Sequence, residues 1–230
     1  TLLEHGVLEG IPTISSVTRL SGTVHVRNDQ IEIEEVTGLA AGSVWKLEGT
    51  MAPLTHPQLE VLVTSQADLA PLAARLPVLR EGWQMSGRAD LRAVCRGPLG
   101  LQPLLDCLAS AKIDDATLTG PPLPHPVTHL SGRLAYDGLA KRLTVDQLSA
   151  RVGDEPFRLV ATATLGDLPR VRAQGALGRG HFTVATRFTP EDVVIDEGRV
   201  TLGHSELQLI GRLSRSAARE SVVRVTGVFE

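Results

Sequence analysis

Any chemistry in this chain must come from its seven histidines, its paired carboxylates or its two cysteines. The closest histidines, His125 and His129, bracket Pro126, and neither a carboxylate nor a cysteine stands at metal-ligand spacing from them. The stretch GHSEL (203–207) lacks the second glycine of a nucleophile elbow, because Leu207 occupies that place. GALGRG (175–180) has the wrong spacing for a dinucleotide fingerprint, and no βαβ pattern surrounds it. Acidic runs in RNDQIEIEE (27–35) and KIDDATL (112–118) read as solvated strand ends rather than an acid–base pair. Trp45, Trp83 and Tyr136 could stack a sugar ring. Trp45 runs in phase with Leu47 and Met51, however, and Tyr136 with Leu134, which points to a core or lining role. Cys95 and Cys107 are too few and too loosely spaced for a zinc site or a disulfide framework. They are either buried free thiols or a single bridge formed in an oxidising compartment. No catalytic set, metal or cofactor is expected, and the chain reads as a non-enzyme.

Composition narrows what remains. The 230 residues suffice for one large β domain or two small ones. Aromatics make up only 3% (four Phe, two Trp, one Tyr), fewer than a compact sandwich uses to fill its core. The net charge of −3 and the lack of a basic stripe argue against nucleic acid as a partner. No apolar run approaches the ~20 residues of a membrane-spanning helix. The first residue is Thr1, and no signal-peptide pattern follows it, so the chain reads as a processed product or a piece of something longer.

The elements that must carry function are strands. WQMSGRADLRAV (83–94) sets Trp83, Met85, Ala89 and Leu91 on one face and Gln84, Arg88, Asp90 and Arg92 on the other. FRLVATATL (157–165) opposes Phe157, Leu159, Ala161 and Ala163 to Arg158, Thr162 and Thr164. RVRAQGAL, HFTVATRF, ELQLIGRL and VVRVTGVF alternate likewise, as an antiparallel sheet covered on one side requires. Short turns such as RNDQ, AAGS, VGDEP and LGHS link them as a meander. Helical spacing of Leu and Ala predicts a short helix near 67–80, broken by Pro71 and Pro77, and a second near 100–110. TGPPLPHPVTH (119–129) predicts an extended connector, because proline cannot donate to a central ladder.

The chain also repeats itself. Thr18-x-Leu20-Ser21-Gly22 returns 110 positions later as Thr128-x-Leu130-Ser131-Gly132. A turn, an alternating strand (IEIEEV, LTVDQL), a glycine turn (Gly42, Gly153) and another alternating strand follow in both copies. DEGRVTLGHSELQLIGRL (196–213) and WQMSGRADLRAVCRGPL (83–99) carry shorter versions. A unit of about 35 residues and three strands cannot bury its apolar face alone and must stack on its neighbours.

The phrase carried by Leu20, Ser21, Gly22, Gly42, Ser43 and Gly49, and again by Leu130, Ser131, Gly132, Gly153 and Asp154, resembles the repeating unit of AsmA-like and TamB-like bacterial envelope proteins. Gly203, Ser205 and Gly211 echo its second half. The resemblance covers most of the chain and departs at 67–82, where helix-like material stands in place of strands. It implies an all-β fold, a long antiparallel meander curled into an open repeating β-groove with one or two short helices. Residues 1–66 are then a first groove unit, 67–127 a link region of strand, short helix and proline-rich connector, and 128–230 further units of one continuous structure. It also implies a role in outer-membrane biogenesis. Phospholipid acyl chains would move along the groove in the periplasm, in a protein anchored to the inner membrane through a segment not present here.

Strand phase names the expected lining: Trp45, Leu47, Trp83, Met85, Leu91, Leu134, Phe157, Leu159, Phe182, Val184, Leu207 and Leu209 on one face, with Arg88, Arg92, Arg158 and Arg172 pointing away. The alternative is a β-sandwich binding or adhesion module, in which Gly22, Gly132 and Gly211 would mark simple bulges. An enzyme with a site invisible in the sequence stands third.

Overall fold

The computed structural model describes residues 2–11, 14–74, 82–98, 106–121, 123–214 and 220–228, with side chains from residue 18 onward. Alternation becomes strand almost everywhere. The first group is β1 (Leu2–Ile11), β2 (Ile14–Arg27), β3 (Gln30–Ala40), β4 (Ser43–Ala52) and β5 (Gln58–Asp68). A short helix, α1 (Leu69–Ala73), separates these from β6 (Gln84–Pro98), β7 (Asp106–Thr119), β8 (Val127–Asp137), β9 (Arg142–Val152) and β10 (Glu155–Thr164). The last group is β11 (Arg170–Leu177), β12 (Gly180–Phe188), β13 (Asp192–Leu202), β14 (Ser205–Ser214) and β15 (Val222–Val228). All fifteen form one sheet in strict chain order, each antiparallel to the next. The sheet is not closed into a barrel, and its pairing continues from β5 through β6 and β7 to β8.

The repeat is structural as well as sequential. The two phrases lie six strands apart, on β2 and β8, and share backbone detail. Arg19 and His129, equivalent positions, both take positive φ (55° and 52°) beside a register shift. The Thr37 hydroxyl donates to the Ser21 carbonyl at 3.2 Å, and the equivalent Ser149 hydroxyl donates to Ser131 at 3.4 Å. Gly22 and Gly132 face the neighbouring strand so closely that a Cβ on Gly22 would overlap the Glu35 carbonyl, and one on Gly132 would stand 2.8 Å from Leu148 Cα. Only glycine permits that approach. Bulges at Glu34–Glu35, Asp115, Gln147 and Asp196–Glu197 continue the irregularity across the sheet. These interruptions let long strands bend, which is how an open sheet acquires curvature.

Helix α1 falls inside the span predicted for it. Asp68 caps it, its Oδ1 accepting from the Ala70 N–H at 3.0 Å, and Pro71 is tolerated in the first turn. Leu69 and Leu72 pack on the best-buried part of the sheet, formed by Ala89, Ile113, Ala116, Leu130 and Ala150. The second helix, expected near 100–110, is corrected for its described part: Asp106–Ser110 open β7. Cys107, Ala109 and Ala111 alternate there with Leu108 and Ser110, and pairing with β6 rewards that period of two. Residues 99–105 lie outside the described residues. The proline connector is also shorter than expected, since Thr119 still belongs to β7 and Val127–His129 already to β8.

Candidate functional site

Register sorts every side chain to one of two faces. From β2 to β15 one face carries Val24 and Val26, Ile31, Ile33 and Val36, then Trp45 and Leu47, then Val61 and Val63. It continues through Ala89, Leu91 and Ala93, Ala109 and Ala111, Leu134 and Tyr136, and Leu143 and Val145. Phe157, Leu159 and Ala161 follow, then Val171 and Ala173, Phe182 and Val184, Val193 and Ile195, Leu207 and Leu209, and Val223 and Val225. Among the described side chains of β2–β15, the one charged residue on this face is Glu155, at the end of β10. Eleven of the twelve sequence-predicted lining residues stand on it within strands. Trp83 precedes β6 in the same phase and lies over Gly120, where a Cβ would sit 2.6 Å from its ring. All twelve are half-buried, whereas Arg88, Arg92, Arg158 and Arg172 are exposed on the opposite face.

Half-burial is the decisive geometric fact. Among the described residues no large side chain is fully buried. Apart from α1, whose Leu69 and Leu72 pack on the apolar face beside Ala89, Ile113 and Leu130, no second layer covers that face among them. The accessible surface is 15550 Å², against the roughly 10,000 Å² expected for a compact monomer of this mass. Hollows lie on both faces of the curled sheet, the larger ones on the polar face. One depression of about 320 Å³ touches Trp45 on β4, Val63, Leu91, Ala109, Leu134 and Leu143 on β9. Five strand spacings separate β4 from β9, about 24 Å if the sheet were flat. That span fits an open, curled sheet.

Individual residues complete the lining. The Trp45 indole N–H donates to the Ala40 carbonyl at 3.1 Å, which pins the ring against β3 and leaves its apolar area toward the groove. Gly175 on β11 separates Leu159 from Phe182. Its missing side chain lets the rings of Phe157 and Phe182 stack with centroids 6.3 Å apart. Cys95 and Cys107 are directly opposite on β6 and β7, on this same face, and are joined as a disulfide. That settles the alternative left open by spacing.

The outer face is polar and cross-paired. Arg96 meets Glu60 at 2.6 Å, Arg187 meets Asp196 at 2.8 Å, and Lys46 bridges Glu35 and Glu48 at 2.9 Å each. Hydrogen bonds to Glu35, then Glu48, hold the Lys46 pKa above its ordinary value, so this amine stays charged. His129, which has no ligand partner by sequence spacing, gains one across strands: its Nδ1 stands 2.8 Å from Asp115 Oδ1 at the β7 bulge. Both are exposed, and the pair reads as a clasp on the outer face. Among the described residues no group of three metal-ligating side chains is assembled. No helix among them is long and apolar enough to cross a membrane.

No family model, curated protein or solved structure matches the chain. The site must therefore be read from its own geometry.

The twelve sequence-predicted residues lie on or beside β4, β6, β8, β10, β12 and β14. Sequence reasoning missed about two thirds of the lining, above all on β2, β3, β5, β7, β9, β11, β13 and β15. RLTVDQLSARV on β9 shows why. Leu143 and Val145 face inward, the bulge at Asp146–Gln147 shifts the phase, and Leu148, Ala150 and Val152 face inward after it. The signal is present as two apolar pairs three residues apart, but strict alternation discards it.

Proposed function

We propose that this chain holds lipid acyl chains in its apolar groove and lets them pass along it, without chemistry, as part of a bridge between membranes of a bacterial envelope. The observation that carries this reading is an apolar face that is continuous from β2 to β15 and, outside the patch under α1, uncovered. Fifteen strands at about 4.8 Å give it a length of about 65 Å along the stacking direction. An exposed apolar surface of that extent is far larger than monomeric proteins leave without an occupant. Each methylene moved from water onto it is worth about 0.8 kcal/mol, so a tail binds strongly in total. A lining of Leu, Val and Ala offers no deep local well, so movement along it stays easy. Headgroups would remain at the open side.

The Cys95–Cys107 disulfide supports an oxidising, extracytoplasmic location such as the periplasm. The phrase shared with AsmA-like and TamB-like proteins supports the same assignment, including an inner-membrane anchor supplied by other parts of the protein. The single sheet, with no second sheet on its apolar face among the described residues, favours the groove over a sandwich binding or adhesion module. The test is photo-crosslinking in cells containing labelled phospholipid, from Phe182 on the apolar face and Arg187 on the other. Labelling from Phe182 alone is expected. Equal labelling at both, or none at either, would reject the conduit.

A further inference from the structure

We infer that the rim formed by the β8–β9 and β10–β11 turns docks on an anionic phospholipid bilayer and is where tails pass between that bilayer and the groove. The inference deepens the conduit reading and rests on it, but its evidence lies elsewhere on the molecule. The two turns, 138–141 and 165–169, are neighbours held together by the Leu165 N–H donating to the Lys141 carbonyl at 2.6 Å. The first is shaped by the Ala140 N–H donating to Asp137 Oδ1 at 2.9 Å. Three leucines protrude from them: Leu139 is 81% exposed, Leu168 53% and Leu165 42%. Three exposed leucines on two neighbouring turns gather apolar surface at one rim, which suits an apolar occupant.

Cations outnumber acids behind the tips on β9–β11. Arg142 lies opposite Thr164, Thr164 opposite Arg170, and Arg170 opposite Arg187, a row across β9 to β12 on the outer face. Lys141 and Arg172 flank it. Arg187 is committed to Asp196, but Lys141, Arg142, Arg170 and Arg172 make no ion pair among the described residues. The acids nearby are Asp137, whose Oδ1 accepts within its turn, and Asp167 in the second turn. Toward β13 they are Glu191, Asp196 with its Arg187 partner, and Glu197 opposite Ala185. A cationic strip in a chain of net charge −3 is a local feature, not an average one. Leucines at the tips with guanidinium groups behind them match a bilayer interface. The apolar side chains enter the acyl boundary while the cations stay among the phosphates. The apolar face begins beside the same tips, with Leu143, Ala163 and Val171 paired in a row. A tail drawn up at this rim therefore meets the groove at once.

The test is flotation of the purified chain with phosphatidylcholine vesicles, with and without phosphatidylglycerol. Binding is expected to the phosphatidylglycerol vesicles and to weaken with salt. Each arginine removed should weaken partitioning about fivefold, so R142Q/R170Q loses about twenty-five-fold. L139S/L168S should lose at least tenfold. Three results would each overturn the inference: equal binding to neutral vesicles, unchanged binding by both double variants, or a dimer that L139S/L168S dissolves. Crosslinking from Phe182 reports separately. If it persists while the rim variants bind vesicles normally, the conduit stands and the docking rim falls.

Discussion

Replacing Leu159 with aspartate separates an open groove from a packed core. Leu159 points into the groove between Leu148 on β9 and Gly175 on β11, and it is half-buried. With water filling the groove, the new carboxylate stays hydrated, and the fold loses only part of a leucine's transfer energy, about 1 kcal/mol. With tails filling it, the carboxylate faces hydrocarbon. Aspartate at the centre of an acyl environment costs about 3 kcal/mol, or about two orders of magnitude in occupancy. The variant should therefore melt within a few degrees of the parent while losing about a hundredfold in retention of a fluorescent phospholipid, and Leu159→Met should retain both. The assays are a thermal melt by circular dichroism and lipid titration on the same preparations. Unfolding of Leu159→Asp would mean that the face is a closed core, and unchanged lipid retention would mean that tails do not run past this position. Either result refutes the reasoning.

Three further outcomes follow from the geometry. Gly22→Ala should cost more than about 2 kcal/mol, because its Cβ would overlap the Glu35 carbonyl, whereas Gly166→Ala, with nothing within 4 Å, should stay within about 0.5 kcal/mol by denaturant titration. Cys95 and Cys107 should resist maleimide until reduced, and opening their 12-residue loop should lower stability by about 3 kcal/mol, read as a melting shift between oxidised and reduced protein. Asp196→Ala should cost less than about 1 kcal/mol, because its pair with Arg187 is exposed, and added salt should shrink even that difference.

Much of this protein is legible in one dimension because a strand places alternate residues on opposite faces. Where alternation runs unbroken, as in FRLVATATL on β10 or HFTVATRF on β12, the residues themselves declare which side is apolar, and the structure keeps Phe157, Leu159, Phe182 and Val184 together. The short glycine turns likewise dictate a meander, since each leaves room only for a neighbouring antiparallel strand. The two copies of the repeated phrase take equivalent backbone at Arg19 and His129, which only the structure shows. Other features depend on partners distant in the chain. The bulges at Asp115, Gln147 and Asp196–Glu197 reverse the phase of their strands, and they arise from registers that two strands negotiate together. The strand at Asp106–Ser110 looks helical alone and is extended because β6 lies beside it. The disulfide needed that same pairing to set Cys95 opposite Cys107. Curvature is the furthest from sequence. Trp45 and Leu143 line one hollow because glycines and bulges, each a local irregularity, add their bends across many strands. Side-chain period chooses the face, and the sum of small backbone departures decides that the face becomes a groove.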